Sequence, residues 1–351
     1  LVKVILPDTV ITIGDSAFSG CTSLTEIVIP DSVTTIDRYA FDGCTALTNI
    51  ILPEGLREIG DYIFDDCSSL TRVDLPNNLQ KIGDQFLTTQ YWCSIGSSTA
   101  LLLSKVGHSF YCSDFQLKYF FDENEQPISL KLFSYIGSAS SVIVPPGPTE
   151  IVEYAFSGCT SLQSVSLPDG IISIDRRTFS NCTNLRSISL PESVTSIGDD
   201  AFANCKLLAE IELPENITRI SPFTFAGCSS LAQISLPNHV TEIGESAFWN
   251  CSALTEIILP DILTSIDRYA FSDCISLEHI LLPENLENMG YRLFDGCRAL
   301  KEIIIPANVT VIQIYSFANC VNLTSVTLPS GLKEIQYKAF SGCNQLSFLD
   351  I

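Results

Sequence analysis

The chain has 351 residues, 46% of them apolar, and sets 40 acidic side chains against 19 basic ones for a formal charge of −21. That apolar share can fill a continuous core, which excludes global disorder. The acidic balance excludes a nucleic-acid surface, which needs Lys and Arg to displace phosphate counterions. It also opposes docking on an anionic membrane, and no apolar run reaches the ~20 residues that span a bilayer.

The pattern begins at once. Leu1-Val2-Lys3-Val4 already lies inside a repeat, so the absence of a leader ahead of it carries no weight. Cysteines stand at Cys21, Cys44 and Cys67, then every 23 residues from Cys159 to Cys343, and leucines keep the same step from Leu1 to Leu346. Cys67 and Cys159 are four periods apart, so phase survives the gap.

Each period predicts the same succession of elements. In Leu24-Thr25-Glu26-Ile27-Val28-Ile29-Pro30, Ile27 and Ile29 alternate as one face of a short strand, and Pro30, lacking an N–H, ends it. A second extended piece follows with Val33 and Ile36 inward. Ala40-Phe41 then places one phenylalanine per coil in an aromatic spine. The residue before each ladder cysteine is Gly, Asn or Asp, from Gly20 and Asp66 to Asn319 and Gly342, which predicts a left-handed turn in every coil.

One such coil cannot bury its apolar face alone, so neighbours must stack, their strands ~4.8 Å apart. No stretch of the 23-residue unit has the ~10 residues of a stable helix. The expected fold is mainly β: a solenoid of 23-residue coils, a gently curved arch with no regular helices on its convex side. It is expected to be a single domain over residues 1–351, regular in 1–85 and 145–351 and degenerate in 86–144.

In that degenerate stretch Phe110 and Phe133 hold phase with Phe156, and Val142-Ile143-Val144-Pro145 restores the strand and its proline. Three degenerate coils are expected from Phe86 onward, with a β-hairpin excursion around residues 94–121. The aromatics here, Trp92 and Tyr119 among them, either fill gaps left by missing Leu and Cys columns or form an exposed recognition patch.

The repeated unit Leu-x-x-Ile-x-Leu-Pro-x-x-Val-x-x-Ile-Gly-x-x-Ala-Phe-x-x-Cys, well kept from Leu185 through Pro191, Gly198 and Phe202 to Cys205, resembles the BspA-like, treponemal-type leucine-rich repeat. The resemblance covers twelve of fifteen periods. It implies a secreted or cell-surface protein of bacteria or microbial eukaryotes that acts in adhesion or protein binding. It carries over no catalytic residue.

The chemistry-bearing residues agree with a non-enzyme. The ladder cysteines recur beside inward Leu and Phe columns, as free buried thiols do, leaving Cys93 and Cys112 as the pair or the reactive thiols. No Cys-x-x-Cys or tight Cys/His cluster offers a zinc site. His108 stands four residues before Cys112, yet no third group orients such a pair. Acidic residues after the prolines (Asp8, Asp31, Glu54, Asp169, Glu192, Glu215, Asp261 and Glu284) form a stripe that reads as a solvated rim in preference to a Ca²⁺ site. No cofactor and no metal are expected.

The residues flanking each inward isoleucine should face solvent on the concave side. Serines and carboxylates occupy the middle of that column, and Ile258, Leu281 and Ile304 form an apolar strip further on, bordered by Glu256, His279 and Glu302. Aligned exposed aliphatics mark a contact surface. These six, with Trp92 and Tyr119, are the candidate partner-binding residues. The expected partner is a protein, of host extracellular matrix or another cell surface, with no nucleic acid and no membrane insertion. An architectural spacer, or the recognition region of a larger surface protein or enzyme, is the competing reading. Both ends stop within the pattern, from which either an end-to-end dimer or missing flanking sequence is expected.

Overall fold

The structure, a computed structural model, describes residues 2–83 and 90–350. It is a mainly β solenoid of about 15 turns at a spacing of about 23 residues, 2% helical. Two compact units divide it, residues Leu1–Gly137 and Ser138–Ile351.

In the first unit the strands Lys3–Ile5, Glu26–Val28, Asn49–Ile51, Arg72–Asp74 and Gln90–Trp92 pair in parallel as one row. Its first pairs are a full period apart, Lys3 against Glu26 and Glu26 against Asn49. A second row is made by Thr12–Ile13, Thr35–Ile36, Glu58–Ile59 and Lys81–Ile82. Between the rows the chain turns at the proline, whose carbonyl is free to accept because the ring ends the strand; Pro30 C=O takes the Val33 N–H at 3.1 Å. In the second unit the same rows recur, for example Ser141–Ile143, Ser164–Ser166 and Ser187–Ser189 in the first and Glu242–Ile243, Ser265–Ile266 and Asn288–Met289 in the second.

Inward columns form the core of each unit. Phe202, Phe225 and Phe248 pile with ring centroids 5.6 and 5.5 Å apart and nearly parallel planes. Phe18, Phe41 and Phe64 do the same in the first unit. Val33 and Ile36 are fully buried, as their place in the second extended piece demands. The residue before each ladder cysteine is left-handed in all twelve coils, from Gly20 at φ +70° to Gly342 at +83°. A second left-handed position, two residues before each spine phenylalanine, was not expected: Tyr269, Arg292, Tyr315 and Lys338 have φ of +58°, +54°, +56° and +53°.

The degenerate stretch departs from the expectation. It contains a helix, Ser98–Lys105, whose N-cap Ser97 accepts the Ala100 N–H at 3.1 Å. The antiparallel excursion starts inside residues 94–121, where Phe110–Cys112 pairs with Phe115–Phe121, and extends beyond it to a third strand, Pro127–Tyr135, paired with Phe115–Phe121. Phe110 is buried but stacks on Tyr119, while Phe133 is only half-buried and stacks on Phe120. Leu1, Phe86 and Ile351 lie outside the described residues.

Candidate binding face

Most first-row strands are three residues long with the centre buried and the flanks turned to solvent, a consequence of the two-residue side-chain period. In the second unit this holds at Glu256–Ile258 and Glu302–Ile304, and the intervening 279–281 keeps the same alternation. Ile258, Leu281 and Ile304 are 59%, 83% and 65% exposed on three successive coils. Glu256, His279 and Glu302 are exposed at the other flank of the same coils. An open groove of about 510 Å³ runs between Glu256, Ile258, His279 and Leu281 and ends at the acidic rim residues Asp261 and Glu284. A neighbouring groove of about 420 Å³ shares Glu256 and Ile258 and reaches Glu212 and Gln233. Beside His279, Lys301 Nζ donates to Glu278 Oε2 at 2.5 Å and holds that carboxyl below the usual range.

Trp92 and Tyr119 belong to the first unit and do different things. Trp92 ends the last regular first-row strand at an outward position, half-buried, stacked on Tyr111 at 5.2 Å with the Arg72 guanidinium 3.9 Å from its ring centre. Its Nε1 has no hydrogen-bond partner among the described residues. Tyr119 is half-buried too, but its hydroxyl accepts the Gly96 N–H at 2.9 Å and its ring packs on buried Phe110. One face therefore gathers the six residues of the apolar strip and its border, and Tyr119 is engaged in packing. Sequence reasoning faced Val28 and Ile51 outward but did not count them, or Ile5, as a candidate surface, and all three are exposed aliphatics at the same outward position in the first unit. Their signal was present, since they occupy the column that singled out Ile258.

All fourteen cysteines are free. Cys93 and Cys112 are thus not a bridge, and burial pushes the Cys93 thiol up to about 12, which leaves little thiolate to react. The eight stripe carboxylates are exposed, and no group of three or more His, Cys, Asp or Glu able to hold a metal gathers among the described residues. Their backbones instead join neighbouring coils. The carbonyls of Glu192, Asp261 and Glu284 accept the side-chain amides of Asn216, Asn285 and Asn308 from the next coil, and His239 Nδ1 stands 3.1 Å from Glu215 O in the same place.

The family model described as BspA type leucine rich repeat region matches in six copies, over residues 1–102, 126–255 and 247–351. The chain belongs to the BspA-type leucine-rich repeat family. Among solved structures this BspA-type protein is similar to a leucine-rich repeat protein from Bacteroides ovatus, with 28% identity, 99% of this chain and 78% of that one covered, and a TM-score of 0.53. It is also similar to the T. pallidum leucine rich repeat protein, with 32% identity, 54% and 88% covered, and a TM-score of 0.50. The sequence matches none of the curated proteins. Leucine-rich repeats of this type are typically non-enzymatic scaffolds, and such proteins generally bind proteins. No helix among the described residues is long and apolar enough to cross a membrane.

Proposed function

We propose that this BspA-type repeat protein is a secreted or cell-surface binding protein that holds a protein partner on the first-row face of its second unit. The observation that carries the reading is the run of Ile258, Leu281 and Ile304, exposed on consecutive coils where a solvated β-surface needs no aliphatics. Burying such a strip against a partner supplies apolar contact area, and Glu256, His279 and Glu302 supply the polar rim that protein interfaces carry. The partner fitted to it is a protein of the extracellular matrix or of another cell.

The test is adhesion of beads coated with the protein to immobilised matrix proteins. Ile258→Asp with Leu281→Asp is expected to abolish adhesion while leaving the thermal melt unchanged. Adhesion that persists in the double variant removes this face, and a protein that adheres to nothing favours the spacer reading.

A further inference from the structure

Two residues before each spine phenylalanine the backbone is left-handed in twelve coils, yet none of these positions holds Gly or Asn. Most of the residues there, tyrosines and cations among them, ordinarily prefer other backbone conformations. In the second unit, from residue 268 to 338, this column reads Tyr269, Arg292, Tyr315, Lys338, and the column just before it reads Arg268, Tyr291, Ile314, Tyr337. These eight positions, two columns on four successive coils, contain four tyrosines, three cations and no carboxylate, on a chain with twice as many acids as bases.

The side chains interleave. The Arg292 guanidinium lies 4.4 Å from the Tyr315 ring centre and 5.8 Å from that of Tyr269. Lys338 Nζ lies 5.2 Å from the Tyr337 ring and 5.9 Å from Tyr315. Arg268 and Arg292 also reach Glu245 and Asp295, whereas the contacts of Lys338 are to tyrosines. Tyr291, Ile314 and Tyr337 stand exposed beside this stack. A groove of about 310 Å³ borders it, lined by Asp267, Arg268, Glu287, Met289, Tyr291 and Gln313 among others.

Three of the four pairs repeat after two coils, Tyr269 with Tyr315, Tyr291 with Tyr337 and Arg292 with Lys338, while Arg268 gives way to Ile314. Two coils at strand spacing are about 9.6 Å, whereas an extended strand repeats a side-chain direction every ~6.7 Å. A polyproline II helix repeats every three residues, about 9.3 Å, and aromatic ridges are what recognise it. We propose that this comb docks an acidic, proline-rich segment of a protein partner in the polyproline II conformation. Prolines three residues apart seat on Tyr291 and Tyr337, two coils apart, and a carboxylate reaches Lys338. The site follows the second strand row and shares no residue with the Ile258 strip, so it stands or falls independently of that face.

The probe is a fluorescent peptide of Pro-Pro-Glu repeats, read by anisotropy against the whole protein. Saturable binding is expected, weakened roughly tenfold by Lys338→Glu and, separately, by Tyr337→Ser. Both substitutions sit at exposed positions, and Ile258→Asp with Leu281→Asp should leave this binding unchanged. The proposal is overturned by no binding, by binding indifferent to both substitutions, or by equal binding of a Gly-Ser-Glu peptide, which would reduce it to charge. It is overturned equally if oligogalacturonate binds in preference to the peptide, which would make the comb a glycan site.

Discussion

At Phe179 the buried carbonyl oxygen accepts the Cys182 N–H at 3.1 Å and the Cys205 thiol of the next coil at 3.2 Å, and the same pairing recurs from Cys44 to Cys343. The cysteine column is therefore a small apolar filler that also supplies a weak donor to an otherwise half-satisfied acceptor. Burial pushes the Cys182 and Cys228 thiols up to about 12, and Cys205, Cys251 and Cys297 rise well above the ordinary range. An unfolded chain releases these protons near pH 9 while the folded one keeps them. Stability should thus fall with rising pH through the window from about 9 to about 12. Thermal melts taken from pH 8 upward are expected to drop steeply above pH 9; a flat profile would mean the thiols are not buried. Residue types announced one left-handed column and hid the other. Gly20, Asn181 and Asp273 signal φ > 0 by their chemistry, whereas Tyr39, Arg177 and Tyr315 do not. At those positions roughly 1 kcal/mol or more of strain per residue is held by the next coil, as where Tyr315 N–H donates to Tyr337 C=O at 3.2 Å.

The elements of the regular coils were legible because every one of them rests on a column seen twelve times. The degenerate stretch had no such support. Its helix was written in Ser97-Ser98-Thr99-Ala100-Leu101-Leu102-Leu103, a capping serine before a good helix-forming run, but the fixed phase drew attention to Phe110 and Phe133 instead. The antiparallel strands follow from the alternation in Phe115–Phe121, where Phe115 and Leu117 are buried and Gln116 and Lys118 are not. This arrangement decides what Tyr119 is for. Its ring on Phe110, its hydroxyl at Gly96 N–H and its own N–H on the Ser104 hydroxyl tie the strand to the helix loop. Tyr119→Ser is expected to lower stability by about 2 kcal/mol in urea unfolding, reduced from a fully buried aromatic truncation because the ring is half-exposed. Unchanged unfolding with altered partner binding would return Tyr119 to the recognition surface.

Across the molecule one rule sorts the side chains: a residue's column, not its type, sets its role. Ile257 and Ile258 are chain neighbours of one type, yet the first is in the core and the second is more than half exposed. The rule was readable in the sequence for the strand face, where constant columns contrast with variable ones. It was not readable for the tyrosine–cation comb, most of whose contacts, such as Arg292 with Tyr315, form only when successive coils stack. Surface ion pairs one period apart, such as Lys3–Glu26 and Arg176–Glu153, are exposed at both partners and contribute little to holding the coils together. The stacked core columns do that. Two substitutions within a single period put the rule to its most direct test, read as unfolding free energies. Phe271→Ala, between rings at 5.4 and 5.7 Å, should cost about 3–5 kcal/mol. Leu281→Asp, ten residues on and open to solvent, should change stability by no more than about 0.5 kcal/mol. If Leu281→Asp unfolds the protein as readily as Phe271→Ala does, the division into core columns and a free binding face is wrong.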